Sequence, residues 1–487
     1  MFKKRNKTRI TEILFALAIF AMLAVFALGI RYSLPVIDDY HFYYMFKNNF
    51  HYPNVFAAAF SQAFWMYCNF QGAWFTNHLD MFAVGITGLN TVGVRIYLLI
   101  SFILFVFSFF YFFNSLKNLF KTEKQNIATL IMIFVFVFTG MNLIPAREEL
   151  YWLTGVGGYT IPLSFAFIGI GNYIKLVKEM TTKRLIVVTV CFVLASGGAL
   201  NIAGFACAVG LCISLAVAIG IVGNLSGIKH KIEFCLPFIA GTISALLNVA
   251  SPGNFSRLEF ESGKGLSIFD AILATVKLLV GRFYMLYKRQ YLILTMIFLF
   301  FVMLIYIKEN ILIDKKSLFY VFASLVFVLF VSFFPVCLGY GRITTVDRIL
   351  FLVDMEIVIA LEIVVLMLAI YIREYFSENV KRINYIVLVP LLVLSAYLNL
   401  KIVGVSDLMI YQTVKDYSNG TLSEFEKNEN MILKSIIESN DKKVSVEVDY
   451  VESSVLLRTG VGNDESHWVN GVVAAVFDKD SISVNYR

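Results

Sequence analysis

The sequence predicts an all-α polytopic membrane protein of about eleven transmembrane helices, followed by a small α/β module at the carboxyl end. Of the 487 residues, 59% are hydrophobic and 16% aromatic, and the mean hydropathy is +0.76, which is typical of chains that lie largely in lipid. Lys and Arg occur in short clusters between the apolar runs. The net charge of +7 therefore indicates membrane topology rather than a nucleic-acid partner.

Eleven apolar runs separated by charged or turn residues are the candidate spans. They lie near residues 11–30, 95–116, 126–143, 158–176, 184–199, 201–223, 232–250, 291–307, 317–336, 349–371 and 382–400. The first run follows a basic segment and is long, so it predicts an uncleaved signal anchor with a cytoplasmic amino terminus. The two runs that meet at Gly197 and Gly198 also fit a short bent hairpin that does not fully cross.

The basic clusters assign a side of the membrane to each loop. Their positions place them on the cytoplasmic side with the amino terminus, as the positive-inside rule requires. The opposite side receives residues 31–94, 144–157, 251–290, 337–348 and the tail. Residues 55–75 and 79–94 suit interfacial or re-entrant helices. Residues 268–290 carry five charges among apolar residues, so they are predicted to lie along the outer surface. If this segment crosses instead, the topology downstream is inverted.

The composition changes near residue 404, where apolar density falls and turn residues appear. The sequence thus predicts two domains: a transmembrane domain over 1–403, which includes the outer loop 31–94, and an extracytoplasmic module over 404–487. A helix near 423–439 and a strand near 443–448 are expected in the module. A unit of this size buries a modest core, so we expect it to dock against the membrane domain.

Two acidic pairs face the same outer compartment. Asp38 and Asp39 follow the first span, and Glu148 and Glu149 follow the third. Carboxylates near hydrocarbon are costly unless a partner or a water-filled cavity receives them. If both pairs converge on one cavity, one acid can take a proton from a hydroxyl group as a general base. The alternative is a polar loop or a surface loop of salt bridges.

The positive-inside bias disfavours arginines on the outer side, so their presence there indicates a specific role. The candidates are Arg147, Arg257, Arg342 and Arg348. Guanidinium groups bind phosphate in a bidentate manner, so these side chains suit a lipid phosphate. The alternative is that they reach to lipid headgroups or pair with local acids such as Asp347.

Aromatic and amide side chains near the acids are candidates for binding a sugar or its acceptor, because sugar rings stack on aromatic faces. They are Tyr40, Trp74, His78, Tyr151, Trp152, Tyr159 and, in a Pro-Gly turn above the seventh span, Asn254. Trp and Tyr are also enriched at every membrane interface, so part of this set is expected to be interfacial packing.

The six cysteines lack the spacing of a disulfide framework or a zinc site, and no cofactor is expected. A divalent ion held by Asp38, Asp39 and His78 is an alternative that the residue types allow.

Four short motifs, taken in order, resemble a known family. They are Asp38-Asp39-Tyr40, Glu149-Leu150-Tyr151-Trp152, Pro252-Gly253-Asn254-Phe255-Ser256-Arg257, and a late arginine, Arg342 or Arg348. This set is similar to that of polytopic glycosyltransferases of the GT-C superfamily, and more narrowly to bacterial membrane glycosyltransferases of the Gtr-like kind. The resemblance covers most of residues 1–400. The second motif is slightly contracted, so either Glu148 or Glu149 is the matching acid.

The resemblance implies a GT-C-like catalytic domain in a bacterial plasma membrane. It implies a polyprenyl-phosphate-linked sugar donor, a glycan or teichoic-type polymer as the extracytoplasmic acceptor, and inversion at the anomeric carbon. Asp38 is then expected to be the base, with Asp39 the second choice, and the outer arginines to meet the departing phosphate.

Two other classes of function stay open. A transporter or flippase for lipid-linked glycans would also have many spans, and Asp354, Glu356 and Glu362 in the tenth span favour it. A glycan ligase or polymerase would differ mainly in its donor. The polar residues gather in the outer loops rather than at mid-span, and no internal repeat is visible, which favours the transferase.

Overall fold

The computed structural model describes residues 2–49, 54–116, 125–143, 145–221, 228–261, 265–306, 315–340, 346–375 and 405–487, and these are mainly helical. The helices before the tail are α1 (Phe2–Tyr32), α2 (Asp38–Asn49), α3 (Val55–Asn69), α4 (Trp74–Thr87), α5 (Thr91–Leu116), α6 (Gln125–Val135), α7 (Ala146–Tyr151), α8 (Leu153–Gly155), α9 (Ile161–Lys178), α10 (Thr182–Ser196), α11 (Leu200–Ala218), α12 (Ile228–Val249), α13 (Pro252–Glu261), α14 (Ile268–Lys288), α15 (Gln290–Tyr306), α16 (Lys315–Tyr340) and α17 (Asp347–Tyr375). Two π turns, Phe136–Gly140 and Val156–Thr160, extend α6 and join α8 to α9.

Six helical segments in the described ranges are long and apolar enough to cross a membrane. They are Arg9–Tyr32, Thr91–Leu116, Leu153–Lys178, Leu200–Ala218, His230–Val249 and Lys315–Gly339. Each coincides with a predicted span, because a run of about 20 apolar residues is as long as the hydrocarbon layer is thick. The chain therefore has the character of a polytopic helical membrane protein.

The remaining five predicted spans are not confirmed. Two correspond to shorter apolar helices, Asn126–Gly140 and Leu292–Leu304. The run at 184–199 forms α10, whose 15 residues end at the turn of Gly197 and Gly198. The run at 349–371 lies within the acid-bearing helix α17, and the run at 382–400 lies outside the described residues. The total of eleven spans stays a prediction.

The segment of residues 31–94, between the first two predicted spans, includes a helical hairpin of α3 and α4, which pack against each other. They have 15 and 14 residues, so both are shorter than a transmembrane helix, as the sequence indicated. Asn54 caps α3 by accepting a hydrogen bond from the N–H of Ala57 at 2.8 Å. Gly88 ends α4 in the left-handed conformation, with φ of 55°. The hairpin places its loop, residues 70–73, beside the end of α12.

Helix α14 packs along α16 and α17. Its Arg282 forms a two-pronged ion pair with Asp354 of α17, and Nε lies 2.8 Å from Oδ1. The Asp354 side chain is fully buried, so the pair joins the two helices in a largely dry environment. The opposite face of α14 exposes apolar side chains such as Phe269 and Val280. Its predicted course along the outer surface stays a prediction.

The tail folds as the small α/β module that the sequence predicts. Helices α18 (Met409–Ser418), α19 (Thr421–Glu438) and α20 (Trp468–Val476) pack with strands β1 (Lys443–Val448) and β2 (Ser481–Tyr486). The strands pair in parallel, with Lys443 opposite Ser481. The predicted helix near 423–439 and strand near 443–448 are confirmed by α19 and β1. Alternate residues of β1 are buried, as in a strand with one face on the core.

The module docks on the end of the bundle that carries Asp38. The N–H of Ile410 donates to Asn142 Oδ1 at 2.9 Å, and Arg95 of α5 forms an ion pair with Glu426. The N–H of Ile37 donates to the carbonyl of Thr459 at 3.0 Å. The predicted domain boundary at 403–404 lies outside the described residues, but the docking expected of so small a unit is present.

Replacing Arg282 with leucine should destabilise the protein by about 3–5 kcal/mol, because Asp354 would stay buried without its cation. The midpoint of thermal unfolding in detergent measures the change. Lys277→Leu, on the exposed side of the same helix, is the matched control. Equal midpoints for the two variants would contradict a structural role for the ion pair.

Candidate functional site

A cavity of about 450 Å³ opens at the end of the bundle that carries Asp38. Residues from eight helices line it, including the start of α2, the end of α12 and the start of α17. The titratable side chains in its wall are Asp38, His41, Asp80, Tyr159, Arg257 and Arg348. Residues far apart in the sequence thus meet in one hollow, and the structure brings Asp38 together with Arg257 and Arg348.

Asp38 is the first residue of α2, where the partial positive charge of the helix terminus favours a carboxylate. Its side chain lines the cavity and accepts no hydrogen bond within the described part of the chain. Burial raises the pKa of Asp38, and the charges of Arg348, His41 and Arg257 act in the opposite direction. A carboxylate in this setting can receive a proton from a group bound in the cavity.

Asp39 points away from the cavity and is fully buried. Its Oδ2 accepts the N–H of Val36 at 2.9 Å, and its Oδ1 accepts the N–H of Thr154 at 3.1 Å. Burial raises the pKa of Asp39 to about 7, although these two hydrogen bonds favour the ionised form. The side chain therefore ties the segment just before α2 to the start of α8.

Ile37, between Val36 and Asp38, has a φ of 34°, a conformation that β-branched residues rarely adopt. The N–H of Ile37 is held by Thr459 of the module, and its side chain lies against Gly460. Such a residue costs of the order of 1–3 kcal/mol and persists where its surroundings enforce it. The strained turn sets the direction in which α2, and with it Asp38, leaves the first span.

The second acidic pair lies outside the cavity wall: neither Glu148 nor Glu149 is among the lining residues. Glu148 accepts a hydrogen bond from Nη1 of Arg348 at 3.1 Å. Glu149 is 1% exposed, and its main-chain carbonyl accepts the hydroxyl of Thr160 at 2.5 Å. Burial, and then the charge of Glu148, raises the pKa of Glu149 well above its usual range. Glu148 therefore influences the cavity through the cation that it positions.

Arg257 reaches the cavity from α13. Its Nη1 donates to Oε1 of Gln71 at 2.7 Å, and its guanidinium lies 5.0 Å from the centre of the Phe70 ring. The start of α13 approaches the end of α3 so closely that a Cβ on Gly253 would lie 2.6 Å from the nitrogen of Phe70. Only glycine fits there, so Gly253 permits the close approach of α13 that brings Arg257 to the cavity.

Asn254 lines the cavity and also joins two loops. Its Oδ1 accepts the N–H of Gly72 at 2.8 Å, and its Nδ2 donates to the carbonyl of Asn248 at 2.6 Å. The amide thus fixes the end of α12 against the loop of the α3–α4 hairpin.

Arg348, at the start of α17, is the second cation of the cavity. Its guanidinium lies 5.2 Å from the centre of the Trp152 ring, and the hydroxyl of Tyr159 accepts a hydrogen bond from it. Arg147 forms an ion pair with Asp347 at 3.2 Å and does not line the cavity, as the alternative of local pairing anticipated. Arg342 lies outside the described residues.

Trp152 and Tyr159 are the predicted aromatic residues that line the cavity. The π turn over Val156–Thr160 presents Tyr159 there, and such turns are frequent at functional sites. The other predicted aromatic and imidazole side chains do not line it, and they make packing contacts instead. Tyr40 packs on Phe477, Trp74 on Gly197, His78 among Phe56, Phe60 and Phe82, and Tyr151 against Gly29 while donating to the carbonyl of Phe26.

Several side chains in the wall were not among the predicted site residues, and three of the buried polar ones are Asp80, Asn201 and Asn248. Asp80 is 3% exposed and lies against Gly157, where a Cβ would come within 2.3 Å of its Oδ1. Burial, and then the charges of Asp39 and Asp38, raises the pKa of Asp80 well above its usual range. A lone acid within the apolar run after Leu79 was the sequence signal that could have identified it.

A metal site at the first acidic pair is not formed. Within the described ranges no group of three or more His, Cys, Asp or Glu side chains is placed to hold a metal ion. Both carboxylate oxygens of Asp39 accept backbone N–H groups, and His78 lies in an aromatic cluster. The ion that Asp38, Asp39 and His78 could have shared therefore lacks a joint set of ligands.

No protein-family model matches this chain, and no curated protein is significantly similar to it. The chemistry of the cavity is therefore the basis for assigning a function. One carboxylate, two guanidinium groups and an indole ring in a partly buried hollow can bind a phosphate-bearing ligand and deprotonate a hydroxyl group.

Replacing Asp39 with alanine should destabilise the protein by about 1–3 kcal/mol for each of the two buried N–H groups that lose their acceptor. Thermal unfolding in detergent measures the loss. Asp38→Ala is the matched control, because it removes no hydrogen bond within the described structure. If Asp38→Ala lowered the unfolding midpoint as much as Asp39→Ala, the tie between the loop and α8 would be refuted.

Proposed function

We propose that this protein is a membrane glycosyltransferase of the GT-C type in a bacterial plasma membrane. It would transfer a sugar from a polyprenyl-phosphate donor to an extracytoplasmic glycan or other cell-surface polymer. The observation that carries the proposal is that Asp38, Arg257 and Arg348, from three distant segments, line one cavity of about 450 Å³. The amino terminus would be cytoplasmic, and the cavity and the carboxyl-terminal module would face outward.

The reaction would be a single displacement. A hydroxyl oxygen of the acceptor attacks the anomeric carbon of the donor sugar, and the bond from that carbon to the phosphate oxygen breaks. The oxygen leaves with the electron pair as polyprenyl phosphate, and Asp38 takes the hydroxyl proton. Attack opposite the leaving group inverts the anomeric carbon, and one base is sufficient for this route.

Charge on the departing phosphate would be met by Arg257 and Arg348. Both guanidinium groups are positioned before a ligand binds, Arg257 by Gln71 and Arg348 by Glu148. Preorganised cations in a site of reduced dielectric stabilise developing negative charge more effectively than water does. The same cations oppose the effect of burial on Asp38, so they also help to keep the base ionised.

Asp39 and Glu148 would act as positioning residues. Asp39 holds the backbone on either side of the site through Val36 and Thr154, and Glu148 orients Arg348. Neither side chain lines the cavity, so neither would contact the reacting atoms.

A flippase for lipid-linked glycans is the second candidate, because α17 carries buried acids. Both carboxylate oxygens of Glu362 are without a hydrogen-bonding partner in the described structure. Asp354, by contrast, is neutralised by Arg282, which leaves Glu356 and Glu362 as the acids that could serve transport. A flippase would need those acids and would not need a base at Asp38.

Replacing Asp38 with asparagine should abolish sugar transfer, because the amide keeps the shape of the side chain but cannot take the proton. Transfer of radiolabelled sugar from a polyprenyl-phosphate donor in proteoliposomes measures the effect. Glu362→Gln is the control and should retain transfer. Near-normal transfer by Asp38→Asn would exclude Asp38 as the base, and loss of lipid translocation in Glu362→Gln alone would favour the flippase.

Replacing Arg257 with alanine should weaken binding of undecaprenyl phosphate at least about tenfold, since a charge-assisted hydrogen bond to phosphate is lost. Arg257→Lys keeps the charge without the fork and should give an intermediate value. Arg147→Ala, which removes a cation paired outside the cavity, is the control. Binding unchanged in Arg257→Ala would remove this residue from the phosphate site.

A further inference from the structure

Five side chains in the cavity wall bury a hydrogen-bonding atom that has no partner in the described structure. The atoms are Oδ1 of Asp80, Nε1 of Trp152, Oγ1 of Thr154, Nδ2 of Asn201 and Oδ1 of Asn248. The five residues are between 0% and 7% exposed. Buried polar groups in folded proteins are nearly always hydrogen-bonded, so five unpaired ones around a single hollow require an explanation.

The unpaired atoms form a mixed set of donors and acceptors. The indole of Trp152 and the amide nitrogen of Asn201 donate, whereas the amide oxygen of Asn248 accepts. The Asn248 amide has a fixed orientation, because its Nδ2 donates to the carbonyl of Gly198 at 2.7 Å. Hydroxyl groups both donate and accept, so a ligand with several hydroxyls can satisfy such a set.

Asp80 fits the same chemistry as an uncharged acid. The side chain is 3% exposed and lies against Gly157. Burial, and then the charges of Asp39 and Asp38, raises the pKa of this carboxyl group well above its usual range, which favours its uncharged form. A protonated carboxyl group donates one hydrogen bond and accepts another, as a side-chain amide does.

The unpaired groups adjoin the two cations. The Trp152 ring lies 5.2 Å from the guanidinium of Arg348. The main-chain carbonyl of Asn248 accepts a hydrogen bond from Nδ2 of Asn254, which lies in α13 together with Arg257. In a polyprenyl-phosphate sugar, the sugar ring is bonded directly to the phosphate, so hydroxyls of the donor sugar would lie beside the guanidinium groups.

We propose that Asp80, Trp152, Asn201 and Asn248 form a subsite that hydrogen-bonds the hydroxyls of an uncharged donor sugar, an inference that rests on the proposed function. Asn201 gives the sharpest case. It is 1% exposed, and its buried Nδ2 has no hydrogen-bonding partner in the described structure, so this donor adds no hydrogen bond to the fold. A leucine of similar size would stabilise that position, and the amide would be retained for its ligand.

The test compares binding of bare undecaprenyl phosphate with binding of undecaprenyl phosphate that carries each of a set of neutral hexoses. Asn201→Leu should weaken binding of the preferred sugar-bearing lipid by about five- to tenfold, leave binding of the bare lipid unchanged, and keep or raise the unfolding midpoint. Gln62→Leu is the matched control. Gln62 is fully buried in α3 with both amide atoms unpaired, but it does not line the cavity, so its replacement should raise the midpoint without changing either affinity.

A second pair of variants tests Asp80. Asp80→Asn preserves one donor and one acceptor and should retain binding of the sugar-bearing lipid, whereas Asp80→Leu should weaken it and spare the bare lipid. Equal losses in Asn201→Leu and Gln62→Leu, or no loss in Asn201→Leu, would overturn the subsite. If the unmodified protein bound the bare and sugar-bearing lipids equally, the subsite alone would be refuted. If it bound neither, the proposed function would be refuted and the subsite with it.

Discussion

The carboxylate of Asp39 is the interaction on which the site depends. It accepts the N–H of Val36, just before α2, and the N–H of Thr154, in α8. These two hydrogen bonds hold together two segments that are more than a hundred residues apart in the sequence. Neighbouring residues on a helix point about 100° apart. When Asp39 is buried in this tie, Asp38 is therefore directed elsewhere, and that direction is the cavity. Of the two adjacent aspartates, Asp39 stabilises the site and Asp38 lines the cavity.

The two cations of the cavity are positioned by a similar use of buried contacts. Gln71 and Phe70, at the end of α3, hold Arg257, while Glu148 and Trp152 hold Arg348. The hairpin of the short helices α3 and α4 is what brings residues 70–73 to the end of α12. The module adds a third constraint, since Thr459 holds the strained residue Ile37. Each charged group thus owes its place to a segment other than its own.

The polar groups near the cavity fall into two kinds. Asp39, Asn254 and Glu148 are paired, and they stabilise the arrangement. Asp80, Asn201 and Asn248 bury atoms that are unpaired in the described structure, and they reduce stability. Natural proteins accept such local costs mainly at functional sites. The contrast between the two kinds distinguishes groups that build the cavity from groups that a ligand would use.

The sequence by itself determined the membrane character, six spans that coincide with apolar helices, the helix and strand of the module, and the arginines worth examining at 257 and 348. These follow from length, hydropathy and local periodicity, which act over neighbouring residues. Tertiary structure alone decided that Asp38 lines the cavity while Asp39 is buried, and that Tyr40 and Tyr151 pack in the interior. It also decided that Asp80 lies in the cavity wall. The direction of a side chain depends on which distant segments pack against it, and the hydropathy pattern of the sequence does not specify those contacts.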